Sequence, residues 1–179
     1  MQVAIRVDSG AQMGSGHVMR CLTLAGGLSR RGANVVFLTR EHPGHWIGTI
    51  EEAGYRAVRL PPPLAGRDVA PGKYGVWLGA TQAGDAAETM VAMGDLRPDW
   101  LVIDHYAIDA EWERSLRSRA GRILVIDDLA DRAHECDVLL DQNYCGHGAG
   151  GRYDELVPAR ARLLLGPRYA LLQPEYGEY

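Results

Sequence analysis

The stretch from Arg6 to Arg20, RVDSGAQMGSGHVMR, concentrates residues that could do chemistry. Gly14 and Gly16 let a backbone approach a ligand closely, and the amides that open a following helix suit an anion or a hydroxyl-rich group. His17 falls where this loop becomes a helix. There an imidazole faces the crevice, and the positive end of the helix dipole favours its neutral form, which a general base requires. Arg6 and Asp8, two residues apart in an apolar run, share one face of a strand and are expected to pair. The spacing is neither G-x-G-x-x-G nor a Walker A loop. Two later apolar runs also end in carboxylates, as Asp104-His105-Tyr106 and as Asp127-Asp128. Strand ends of an α/β sheet converge on one edge, so these groups and His17 are expected to meet there. Asp104 or Asp109 would also serve as an N-cap.

Other reactive residues form weaker patterns. His42/His45, His134/Cys136 and Cys145/His147 are short, irregular pairs without a third ligand, so no metal site is predicted. The three cysteines Cys21, Cys136 and Cys145 are scattered and odd in number, as expected of reduced structural thiols. Cys21 is expected to face the core from its helix.

The elements that must position these groups alternate. Apolar and β-branched runs predict strands over 3–7, 34–39, 56–60, 100–104, 123–127, 138–141 and 162–165. Helical spacing predicts helices over 18–30, 46–53, 81–96 and 109–119, with a short one between the last two strands after a loop at 146–151. Residues 64–79 are rich in Gly and Pro without periodicity, and read as a surface excursion of the kind that carries function. The order β-α-β-α-β, excursion, α-β-α-β-β-α-β predicts a doubly wound, mostly parallel α/β sheet of the Rossmann-like class, with helices on both faces.

Bulk properties narrow the partners. With 179 residues, 46% of them hydrophobic, the chain can bury one substantial core. A net charge of -4 and a pI near 5.8 provide no basic face for nucleic acid. The opening MQVAIRVDSG enters a strand directly, and no apolar run is long enough to cross a membrane, which predicts a cytoplasmic protein.

The pattern R-x-D-S-x-x-x-x-G-x-G-H-x-x-R, the later I-D-H-Y and I-D-D, and the terminal L-L-G-P-R-Y-A-L-L together resemble the PseG family. The resemblance runs along nearly the whole chain. Those proteins are UDP-2,4-diacetamido-2,4,6-trideoxy-β-L-altropyranose hydrolases of pseudaminic acid biosynthesis, related in fold to GT-B glycosyltransferases such as MurG. The resemblance implies hydrolysis of a nucleotide sugar at its anomeric carbon with inversion, releasing UDP and free sugar without metal or cofactor. His17 matches the family histidine that activates water. Gly14, Gly16, Asp104, His105 and Tyr106 would shape the sugar and water pocket, and Arg6, Asp8 and Arg20 match the motif. Ser15, Asp128 and Asn143 complete the expected substrate-facing set.

A GT-B enzyme has two Rossmann-like domains with its site in the cleft between them, and the nucleotide is held mainly by the second. The resemblance therefore implies that residues 1–166 are the sugar-facing amino-terminal domain and 167–179 the interdomain linker, with the carboxyl-terminal nucleotide-binding domain absent from this chain. The partners expected are a UDP-sugar and that missing domain, with the chain alone inactive. Two other functions fit the same pattern: a GT-B transferase that delivers the sugar to an acceptor, and a non-catalytic sugar-nucleotide binding domain.

Overall fold

The computed structural model describes residues 1–63, 65–66, 68–144 and 151–172. Seven strands make one sheet: β1 (Gln2–Val7), β2 (Asn34–Arg40), β3 (Arg56–Leu60), β4 (Trp100–Asp104), β5 (Arg122–Ile126), β6 (Val138–Asp141) and β7 (Arg162–Leu165). Their spatial order is β3-β2-β1-β4-β5-β6-β7, and every pair is parallel. Strand order reverses between β1 and β4, so the carboxyl edge there is the topological switch point at which such sheets bind ligands. The predicted fold class is the one observed.

Both faces of the sheet are covered, which explains why the central strands are apolar runs without alternation. Helices α4 (Gln82–Met93) and α5 (Ala110–Leu116) lie against Ala4, Leu101, Ile103, Ile123 and Leu139, with Trp112 fully buried among them. On the other face α1 (Gly16–Ser29) sets Val18, Cys21 and Ala25 against Val3, Ile5, Val102 and Ile126. The short helix α2 (Ile47–Glu52) adds Ile50 to that face. Thr81 caps α4 by accepting from the Gly84 amide, and Asp109 caps α5 by accepting from Glu111. Each such cap contributes about 0.5–2 kcal/mol.

Helix α4 stops at Met93 before Gly94, three residues short of the expected end, α5 gives way to a 3₁₀ turn at Arg117–Arg119, and three further segments differ from the sequence reading. First, α1 starts at Gly16, two residues before its apolar periodicity begins, because the turn that launches it is made by backbone alone. Gly10 accepts from the amides of Met13 and Gly14, and Gly14 holds a left-handed φ of 74°. Second, the described residues of the excursion close into a compact loop. Ala70 and Ala80 are joined by a hydrogen bond across its base, and a four-residue helix α3 (Gly75–Leu78) sits inside it. Third, residues 152–156, where a short helix was expected, form turns.

The predicted loop at 146–151 is described only at Gly151. Of the predicted linker, residues 167–172 form a 3₁₀ turn, Pro167–Tyr169, and an extension in which the Leu171 amide donates to Gln142. Residues 173–179 lie outside the described residues.

Candidate active site

Side-chain alternation sorts the strand-end charges into two groups. In β4, Leu101 and Ile103 face α4 and α5 while Val102 faces α1, so Asp104 turns to α1 and His105 away from it. The same parity at the end of β5 sends Asp128 toward α1 and Asp127 to the other face.

The α1 side holds the constellation built around His17. Its Nδ1 lies 2.6 Å from Asp104 Oδ1. Arg20, one turn further along α1, clamps the same carboxylate with two hydrogen bonds of 2.6 Å, from Nε to Oδ2 and from Nη2 to Oδ1. Burial alone would raise the Asp104 pKa. The hydrogen bonds from Arg20 and His17 and their charges outweigh it and bring it down to about 2. An ionised carboxylate this close to Nδ1 requires a proton between them, so Nδ1 carries it and donates. The 3.2 Å approach of Arg20 Nη2 to the same nitrogen is then a contact between two donors that share Oδ1. In the neutral form of the ring the free nitrogen is then Nε2, with the buried carboxylate on the opposite nitrogen, the geometry by which an Asp orients an imidazole in hydrolytic triads.

The network continues outward. Arg20 Nη1 reaches Asp128 Oδ2 at 3.4 Å, and exposed Asn143 donates to the same oxygen at 3.3 Å. Burial and then the neighbouring Asp128 raise the Tyr106 phenol well above its usual range, so it stays neutral. Cys21, 3.4 Å from Asp104 Oδ2, is buried, and its thiol is pushed far up by burial and then by Asp104, which leaves it no nucleophilic character. Gly14 and Gly16 are exposed beside this group, with open space where a Cβ would stand. Ser15 is the N-cap of α1 but makes no side-chain cap bond.

On the opposite face Arg6, Asp8 and His105 are enclosed. Arg6 donates to Asp8 at 2.5 Å, as the spacing predicted, and also clasps Asp85 of α4. Arg40 bridges Asp85 and Glu88, its amide donates to Asp8, and Trp112 Nε1 donates to Asp85 at 2.8 Å. His105 Nδ1 accepts from the Ala107 amide, so its proton is on Nε2, 3.3 Å from Asp8 Oδ2. Burial lowers the His105 pKa more than Asp8 raises it. This cluster of paired charges ties β1, β2, β4 and α4 together beneath the glycine-rich loop. Arg6 has no exposed surface, and Asp8 and His105 have at most 4%, so these three support the site from below and do not line it. Asp127 likewise turns inward, to Arg132 and Tyr153.

Among the described residues the side chains of the histidine pairs turn to partners other than each other. His42 Nε2 lies 3.6 Å from Asp8, while His45 accepts from the Ile47 amide. His134 pairs with buried Glu113. Cys145 and His147 lie outside the described residues.

The sequence reading named no residue of the excursion, yet it supplies an aromatic wall. Tyr106 meets His17 edge-on at 4.5 Å, Trp77 of α3 stacks on Tyr106 at 5.9 Å and 21°, and Tyr74 contacts both Trp77 and Tyr106. Two aromatics three residues apart between tight glycines, Tyr74 and Trp77, were the available signal.

A parallel sheet whose order reverses beside a histidine-carboxylate pair, on the helix that follows β1, defines a Rossmann-like domain with its candidate site at the switch point. MurG of Acinetobacter baumannii has this fold, with a TM-score of 0.52 at 13% identity over 80% of this chain and 41% of that one. In sequence the chain is PseG-like. It is 27% identical, over 98% of its length, to the UDP-2,4-diacetamido-2,4,6-trideoxy-beta-L-altropyranose hydrolase of Campylobacter jejuni, of which it spans 53%. An uncharacterized Methanocaldococcus jannaschii protein is 21% identical over 98% of this chain and 32% of its own length. The chain thus spans about half or less of these curated relatives. No protein-family model matches it.

Proposed function

We propose that this chain is the sugar-facing half of a cytoplasmic nucleotide-sugar hydrolase acting on a UDP-linked diacetamido-trideoxy sugar in pseudaminic acid biosynthesis. The observation that carries the reading is the His17–Asp104 pair at the carboxyl edge, locked by Arg20 and flanked by the glycine-rich loop. Water bound near His17 Nε2 attacks the anomeric carbon as the bond from that carbon to the UDP oxygen breaks. The bonding pair leaves with UDP, and the water proton passes to Nε2. Asp104 stabilises the imidazolium so formed and holds the ring in the tautomer that can accept the proton. A base on one face and a diphosphate on the other give inversion. No step draws on a metal or a cofactor. The half of the longer relatives that this chain does not cover would hold the nucleotide, so the isolated chain turns over little substrate.

Proton NMR of the protein carrying both halves, with the UDP-diacetamido sugar and no acceptor, tests this. The unmodified protein is expected to release free sugar and UDP, and His17→Asn to lose at least about 100-fold in rate, the lower end of a general base's contribution. Release only after an acceptor is added would make the protein a transferase. Undiminished hydrolysis by His17→Asn would remove His17 from the chemistry.

A further inference from the structure

A cavity of about 240 Å³ opens on the far side of the glycine-rich loop from α1. Residues 10–13 form one wall, His42 and Pro43 a second, and Val76 and Trp77 of α3 a third. Its shape is fixed. Ala11 donates to the Pro43 carbonyl at 2.9 Å, and a Cβ at Gly10 would come within 3.1 Å of His42 Cβ and 3.3 Å of the Pro43 carbonyl oxygen. The α3 wall is fixed too, because Gly75 packs so tightly on Ala70 that no side chain fits and Gly79 packs on Pro63. The excursion therefore holds Val76, which is 57% exposed, and Trp77 at the cavity instead of placing both in the core. Trp77 is also the outer layer of the stack that runs through Tyr106 to His17.

The chemistry of the walls selects a ligand group. Val76, Trp77, Pro43, Pro63 and Met13 offer apolar and aromatic surface, while Gln12 and the loop backbone offer amide donors and acceptors. A bare hydroxyl would meet the apolar wall and leave it unused, and an ammonium would find no carboxylate among the described lining residues. An acylamino group matches both halves, its methyl on the Trp77–Val76 wall and its amide toward Gln12. The volume is below the roughly 300–1,000 Å³ of a pocket for a whole drug-sized ligand, so it suits a substituent and part of its ring, not a nucleoside diphosphate.

We infer that this cavity is the specificity subsite for an N-acyl substituent of the sugar, with Trp77, Val76 and Gln12 as its determinants. The inference rests on the sugar-facing reading of the chain, but its test does not require turnover.

Saturation-transfer NMR on the 179-residue chain with N-acetylglucosamine, glucosamine and uridine as probes reads the contact directly. The acetyl methyl protons of N-acetylglucosamine are expected to show the strongest transfer, with glucosamine at least about fivefold weaker, in keeping with the 10–200-fold discrimination that one methylene gives in a fitted pocket. Trp77→Ala and the surface substitution Val76→Asn should each reduce the acetyl signal, while Val91→Asn, on exposed surface outside the cavity lining, retains it. Equal transfer to glucosamine, an acetyl signal unchanged in both wall variants, no transfer at all, or displacement of the acetyl signal by uridine would overturn the assignment. If the acetyl contact holds while the two-half protein releases no free sugar, the subsite stands and the hydrolase reading falls. Hydrolysis with an acetyl signal insensitive to Trp77 and Val76 gives the reverse result.

Discussion

Asp104 serves three partners from one buried carboxylate: His17, Arg20 and the Cys21 thiol. Replacing it with Asn keeps the shape but removes the charge that orders His17 and holds the imidazolium. In the two-half protein Asp104→Asn is expected to lower kcat on the order of 10²–10⁴-fold with a smaller change in KM. The same variant has a stability signature. The folded-state pKa of Asp104, about 2, lies below its ordinary value of 3.8. Its contribution is therefore fully present above pH 4 and is lost as pH falls through about 2. The amount is on the order of 2 kcal/mol. Resistance to urea should weaken over that acid window, and Asp104→Asn should flatten this part of the curve while lowering stability at neutral pH, since it leaves part-buried Arg20 with the longer 3.4 Å contact to Asp128 in place of its close clamp. Equal pH dependence in the two proteins would refute the assigned clamp.

At the scale of elements, the excursion between β3 and α4 is the part that extends the aromatic wall beside His17. A Cβ at Gly75 would stand 1.7 Å from the Ala70 carbonyl oxygen, so Gly75→Ala must push α3 off its seat. Overpacking of this kind costs about 1–3 kcal/mol. Amide hydrogen exchange should quicken across residues 70–80 while β1 and β4 stay protected; unchanged exchange in the excursion would contradict the packing.

The strands, by contrast, could be read from sequence to within a residue or two, because buried parallel strands are unbroken apolar runs bounded by turn residues. Helix α3 could not, because four residues are shorter than the repeat by which helices are detected, and Tyr74 at its start has no capping side chain. His17 was legible for the opposite reason: a histidine directly after spaced glycines at a strand-helix junction has few structural uses. The grouping of Asp104 with His105 as one site was not correct in space. Adjacent residues at a strand end point to opposite faces, and only a partner from another element, α1 for one and Asp8 of the other layer for its neighbour, reveals which face carries chemistry. Arg40, Asp85 and Trp112 carry no local sequence signal, because they come from separate elements and combine only through the fold.

Across the molecule, charge is divided by the sheet. One face of the carboxyl edge carries the His17 network open to a ligand, and the other carries a sealed cluster, Arg6, Arg40, Asp8 and Asp85, that fixes the strands beneath it. This division lets the loop above stay glycine-rich and open without losing its position. In the proposed reaction a chain that spans 53% of its Campylobacter jejuni relative supplies the base and the sugar cavity, and the remaining half would hold the nucleotide. The central claim concerns which bond is broken: attack of water at the anomeric carbon, driven from this half, and not at phosphorus. Turnover of the UDP-diacetamido sugar by the two-half protein in ¹⁸O-water, followed by mass spectrometry of both products, tests it most directly. The account predicts label in the anomeric hydroxyl of the released sugar and none in UDP; label in the UDP phosphate would contradict it.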